Sequence, residues 1–185
     1  MPTIRPLRDY SEHEVLPTFF AWNPTGAYPT NKGTFVKIVS GASADNTLGQ
    51  LGDVGQHYKN VVSQRYGVPA FVAAATNSGD AVVGMTLYDV REVDENGEKL
   101  ILHPDKMARM QAVPSGWPVP ILRRGFVQYS GFTQSPVGQG EAIYLSPAGD
   151  GTPSTSGAAG VSTKIGRAYG PTDSNGYTYI FVDVY

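Results

Sequence analysis

The chain of 185 residues contains no cysteine. Disulfides, thiolate nucleophiles and cysteine-ligated zinc are therefore excluded together. Clustered positive charge is missing as well: the densest run is the pair Arg123-Arg124, and the formal net charge is −2. Nucleic-acid binders draw much of their affinity from phosphate contacts by grouped Lys and Arg, so no nucleic-acid partner is expected. No apolar run approaches the roughly 20 residues of a membrane-spanning helix. The opening MPTIRPLRDYSEHE places charges and prolines where a secretory leader carries an apolar stretch. Assembly in a cytoplasm, without a membrane partner, is the expectation.

Motifs for chemistry are equally sparse. His13, His57 and His103 share no metal-ligand spacing. His103, beside Asp105, reads as an exposed helix start. There is no Walker loop and no G-x-S-x-G elbow, and GQGEAIYL carries G-x-G ahead of a strand, so no helix N-terminus meets a phosphate. No D-x-D-x-D-G calcium loop occurs. Glu92, Asp94 and Glu95 fall on a turn, while Glu141 opens a strand and Asp150 sits between glycines. Both groups read as turn chemistry and not as the rigidly spaced carboxylates of a hydrolase. The expectation is a protein with no catalytic residue, metal or cofactor.

What is abundant is turn-forming and β-forming sequence. There are 22 glycines and 14 prolines, and 41% of residues are hydrophobic, enough for one sizeable core. Strands are expected at Thr34–Ser40, Ala70–Ala75, Ala81–Val90, Val119–Leu122, Gly125–Ser130, Glu141–Ser146, Ser162–Tyr169 and Tyr177–Val184. The run Asp94-Glu95-Asn96-Gly97 predicts a hairpin joining Val83–Val93 to Glu98–Leu102. Helix is expected only as one or two turns over Pro104–Ala112; residues 54–66 fit helix and strand alike. The fold class is thus all-β: a small β-barrel or β-sandwich of short antiparallel strands, with at most one or two short helices. Two echoes recur: GTFVKIVSG from Gly33 with GEAIYLSPAG from Gly140, and VVGMTLY from Val82 with KIGRAYG from Lys164. Two similar β-units explain them; so does the small vocabulary of strands and turns.

Residues 1–32 differ from the rest. Five prolines forbid a long helix there, and Ser11 to Glu14 has capping-box spacing for about one turn at most. Yet Ile4, Leu7, Tyr10, Val15, Leu16, Phe19, Phe20 and Trp22 make the segment apolar, so it must lie against a surface. It reads as an extended N-terminal arm ahead of a single β-rich domain, 33–185. In the last strand Tyr177, Tyr179, Phe181 and Asp183 share one face, opposite Thr178, Ile180, Val182 and Val184. The aromatic face is expected to be partly open or set against a second surface. Trp117, flanked by Pro114 and Pro118, is expected to cover the core or a partner.

The ordered series GDAVVGMTLYDV, VPILRRGFVQYSG, GEAIYL and KIGRAYG resembles the decoration, or cement, proteins that tailed bacteriophages place on their capsids. The resemblance runs from Gly79 to the C-terminus and does not extend over residues 1–78. It implies a non-enzymatic virion protein on the outer capsid surface, bound to the major capsid protein and to itself as a homo-oligomer, a trimer favoured over a dimer. By the same implication the arm, through Ile4, Arg5, Leu7, Arg8, Tyr10, Leu16, Phe19, Phe20 and Trp22, meets the capsid; the alternative is that the arm covers its own barrel. Trp117, Tyr177, Tyr179 and Phe181 are the candidate oligomer surface. Two rival expectations are a phage tail or baseplate β-module and a carbohydrate-binding β-domain, the latter needing aromatics grouped in a groove.

Overall fold

The computed structural model describes residues 3–7, 9–11, 14–16, 19–21, 31–39, 71–114, 117–130, 132, 138–146, 153–154 and 163–184. Fourteen strands and one α-helix fall within them. The strands are β1 (Thr3–Pro6), β2 (Val15–Leu16), β3 (Phe20–Ala21), β4 (Phe35–Val39), β5 (Phe71–Ala74), β6 (Val82–Thr86), β7 (Asp89–Val90), β8 (Ala112–Val113), β9 (Ile121–Leu122), β10 (Arg124–Ser130), β11 (Ala142–Leu145), β12 (Pro153–Ser154), β13 (Lys164–Ala168) and β14 (Tyr177–Asp183). The helix α1 spans Pro104–Met110. The all-β expectation holds.

Two six-stranded sheets carry the fold, in the orders β1-β10-β14-β13-β11-β12 and β2-β9-β6-β4-β5-β3. Pairing is antiparallel except for β3 with β5 and for the separate pair β7–β8, which are parallel. The strand pleat sends alternate residues to opposite faces, and the sequence exploits this. Val127, Tyr129, Ile143, Leu145, Ile165, Ile180 and Val182 of the first sheet meet Phe35, Val82, Met85 and Leu122 of the second in one core. Val36, Val72 and Ile121 point the other way and pack under Val90, Val113 and Val119 in a second core. Among the described residues the second sheet is therefore covered on one face and over much of the other, where Ile38 stays 53% exposed, and the first sheet is covered on one face.

The described residues of the leading segment overturn the picture of an arm waiting for another molecule. Thr3–Pro6 forms the edge of the first sheet against β10, and β2 and β3 form the two edges of the second. Ile4 is buried in the first core and Phe20 and Ala21 are fully shielded. The Tyr10 hydroxyl donates to the Phe126 carbonyl at 2.5 Å. Sheet edges carry unpaired backbone groups, and a tethered segment finds them at a far higher effective concentration than any separate partner does. The apolar segment needs a surface, and its own body supplies it. The capping-box spacing is realised as a single turn: Ser11 N–H donates to Glu14 Oε2 at 2.9 Å, and Glu14 N–H to the Ser11 carbonyl at 2.9 Å.

The hairpin turn forms, but its second strand does not. Asp94 N–H donates to the Glu98 carbonyl at 2.9 Å and Val93 bridges Lys99, after which Leu100–Leu102 turns into a short 3-10 helix. Leu100 is buried, and its burial draws the chain inward where a strand would have carried it on. Gly97 takes φ +82 while Asn96 stays at negative φ, so the turn is not type I′. The helix starts at its proline as expected and ends at Gln111, in the left-handed conformation at φ 50, before β8 begins at Ala112.

Candidate functional site

The uncovered face of the first sheet is the most chemically varied surface among the described residues. Its outward positions follow from the register. Arg124 pairs with Asp183, Phe126 with Phe181, Gln128 with Tyr179 and Ser130 with Tyr177 across β10 and β14; Arg167 stands opposite Phe181 on β13. Phe126, Tyr169 and Tyr179 are 39%, 53% and 46% exposed. The rings hold one another. Phe126 and Phe181 have centroids 4.7 Å apart, Phe126 and Tyr169 meet edge to face at 5.2 Å, and Tyr169 and Phe181 at 6.2 Å. Such edge contacts fix aromatic side chains beyond what area burial alone does. The Arg5 guanidinium lies 4.1 Å over the Tyr177 ring, and Arg124 lies 5.8 Å from the Phe181 centroid.

Between β13 and β14 this face dips into a cleft of about 440 Å³ lined by Lys164, Gly166, Arg167, Tyr169, Phe181 and Asp183. Its floor is main chain. A Cβ on Gly166 would sit 2.1 Å from the Phe181 carbonyl oxygen, so only glycine allows the two strands this approach. Asp183 Oδ1 is buried and accepts no hydrogen bond; Arg124 Nε stands 3.6 Å from it, an ion-pair distance too long for a hydrogen bond.

A second feature is the insert between β7 and β8, whose parallel pairing closes its base. Its turn is locked by Asp94. The carboxylate, with its side chain fully shielded, accepts from the amides of Asn96 and Glu98, both at 2.8 Å, and from Lys106 Nζ. Lys106 also reaches Glu98 Oε2 at 3.1 Å. The Lys106 hydrogen bond, helped by the two amides against the cost of desolvation, brings Asp94 down to about 2. The same bond, with that to Glu98, raises Lys106. On this rigid frame Val93, Ile101 and Leu102 stay 42%, 37% and 71% exposed.

Of the residues expected to meet a capsid, Ile4 and Phe20 are core, Leu16 and Phe19 pack on the second core, and Tyr10 closes over Gly125. Arg5 and Leu7 are outward; Arg8 and Trp22 lie outside the described residues. Tyr177, Tyr179 and Phe181 share the open face as their alternation implies, whereas Trp117 stands apart, half-buried on the second core. Glu141 is a turn residue: its Oε2 accepts the Gly138 amide at 2.7 Å. Asp150 and residues 54–66 lie outside the described residues. His103 begins α1, its carbonyl accepting from the Met107 amide at 3.0 Å, and its side chain makes no capping bond. Sequence reading missed that Phe126, Tyr169, Arg124 and Arg167 join Tyr177, Tyr179, Phe181 and Asp183 in one surface. The alternation of β10 and β13 puts most of them outward, but strand order, which no local pattern encodes, brings them together. Among the described residues no three His, Asp or Glu side chains are grouped to hold a metal ion. No protein-family model and no curated protein matches the chain.

Proposed function

We propose that this chain is a structural virion protein that binds the outer surface of an assembled phage capsid, contacts the major capsid protein and stabilises the shell as a homo-oligomer. The order of the glycine-anchored strand motifs supports the family reading, and the two-sheet body is compatible with it. The leading segment, integrated in the sheets, is replaced as the contact by the insert. The observation that carries this is the exposure of Val93 beside the turn that Asp94 holds, and of Ile101 and Leu102 on the short 3-10 helix that follows it. Apolar side chains presented on a pre-ordered frame lose little conformational entropy on docking, and several copies joined in one oligomer multiply a modest contact. The role asks for no catalytic group.

The test is co-sedimentation with purified shells. Ile101→Asp with Leu102→Asp places two charges in the contact, so binding should fall at least tenfold while the thermal melt of the free protein stays within about 2 °C, as surface substitutions usually leave stability nearly unchanged. Unaltered shell binding by this folded variant would remove the insert from the interface. Failure of the wild-type chain to bind shells at all would remove the reading itself.

A further inference from the structure

Among the described residues the first sheet leaves one face open, and its residues are not those of a core lacking a cover. Where β4, β5 and β9 turn Val36, Val72 and Ile121 outward into a second core, β13 and β14 turn out Lys164, Arg167, Tyr177, Tyr179, Phe181 and Asp183. We propose that the cleft between β13 and β14 binds an acidic saccharide, an oligosaccharide carrying a sugar carboxylate.

Three demands in one small space select that ligand. Tyr169 and Phe181 present apolar ring surface, which suits the C–H face of a pyranose. Asp183 can only accept hydrogen bonds once ionised, and its Oδ1 accepts none, Arg124 Nε standing 3.6 Å away, so this cleft carboxylate keeps accepting capacity for a ligand hydroxyl. Lys164 and Arg167, both exposed at the rim, call for an anion. A sugar acid supplies ring face, hydroxyl donors and one negative charge together. A neutral sugar leaves the two cations unanswered. A nucleotide fits less well. The Tyr169 and Phe181 rings stand at 75° and leave no parallel slot for a base, and the two cations and one carboxylate among the described residues of the cleft balance a single charge better than a run of phosphates. The ring cluster is held from the side by Phe126 on the neighbouring strand, so the platform exists before any ligand arrives. The site is separate from the insert and stands whether or not the chain binds a shell.

The experiment uses the full chain on an array of uronate- and sialate-bearing oligosaccharides printed beside their neutral counterparts, followed by calorimetric titration of the strongest probe. Acidic oligosaccharides should bind at least tenfold more tightly than the matching neutral ones. Arg167→Glu should weaken the titrated probe at least tenfold with an unchanged melt; Lys164→Glu, on the same rim, gives a second reading should the first variant fold poorly. Tyr169→Ala should weaken it comparably. Silence of every acidic probe at millimolar concentration overturns the proposal. So does binding indifferent to both charge reversals, or tighter binding of single-stranded oligouridylate than of any saccharide.

Discussion

The three-strand units β4–β5–β6 and β11–β12–β13 have the same plan in different surroundings. In each, the first strand is central, the second pairs antiparallel on one side and the third antiparallel on the other. In each, the third strand carries a glycine opposite the first strand, Gly84 facing Val36 and Gly166 facing Ile143, and the register shifts at the next residue. In each, a Cβ on that glycine would strike a carbonyl oxygen of the next strand, Leu122 at 2.5 Å or Phe181 at 2.1 Å. The echo between VVGMTLY and KIGRAYG is thus a repeated β-unit with a bulge, and not only a shared vocabulary. The difference lies outside the units. The β7–β8 pair lays Val90 and Val113, the leading segment Phe19, and the stretch between β8 and β9 Trp117 and Val119 over the second sheet; the corresponding face of the first sheet carries exposed rings and charges. One architecture has been used once as a buried wall and once as a working surface.

The largest way to break this comparison is to remove the leading segment. It supplies both edges of the second sheet but only one edge of the first. Deleting residues 1–21 strips three strands and uncovers the partners of Ile4, Phe20 and Ala21. Truncating a single buried aromatic costs about 3–5 kcal/mol, against a total stability of about 5–15 kcal/mol. The shortened chain should show no cooperative thermal transition by near-ultraviolet circular dichroism. A sharp transition at the original temperature would show that the segment is an appendage after all.

The paired glycines sharpen the comparison. Gly84→Ala forces β6 from β9 at a point packed on both faces, with Ile121 Cγ2 also only 2.6 Å away. Gly166→Ala meets an equally hard carbonyl, but β13 has an open side toward which it can yield. Overpacking of this kind costs about 1–3 kcal/mol. Gly84→Ala should fall at or above the top of that range by urea denaturation, and Gly166→Ala nearer its middle. The reverse order would mean that cover, or its absence, does not govern how far each unit can relax.

How much of this was legible from sequence follows the range of each signal. Period-two alternation located β4, β10, β11, β13 and β14 to within a residue or two, because each strand's pleat is local. Pro104 at the head of PDKMARM gave the helix for the same reason. Leu100 was misread because its burial against the body, and not the Asn-Gly turn, decides where the chain goes after Glu98. The leading segment's need for a surface is legible in its apolar residues; that the surface is its own body is not, because three short strands of two to four residues leave no periodic trace. The open face was half visible. Alternation puts Tyr177, Tyr179, Phe181 and Asp183 on one side of a strand, while Phe126, Arg167 and Tyr169 join them only through strand order.

The smallest test concerns the cover on the second sheet, which has an acid-sensitive lock with no described counterpart on the first. Asp94 titrates at about 2 in the folded chain against an ordinary 3.8. A carboxylate whose folded value is depressed adds stability that is complete above its unfolded value and disappears as pH falls through the folded one. The Asp94 contribution should therefore be constant above about pH 4 and drain away between there and about pH 2. Asp80 is also held below its usual range: burial opposes its charge, but Lys37 and the amides of Asn77 and Thr76 outweigh burial. Acid thus weakens the wild-type chain through more than one group, and a substitution is needed to separate them. Asp94→Asn should lower the melting temperature at pH 7 and converge on wild type near pH 2, and the gap between the two curves should close over that window alone. A gap that persists unchanged to pH 2 would show that the amides of Asn96 and Glu98, which a neutral side chain can still satisfy in part, hold the turn without help from the Lys106 charge.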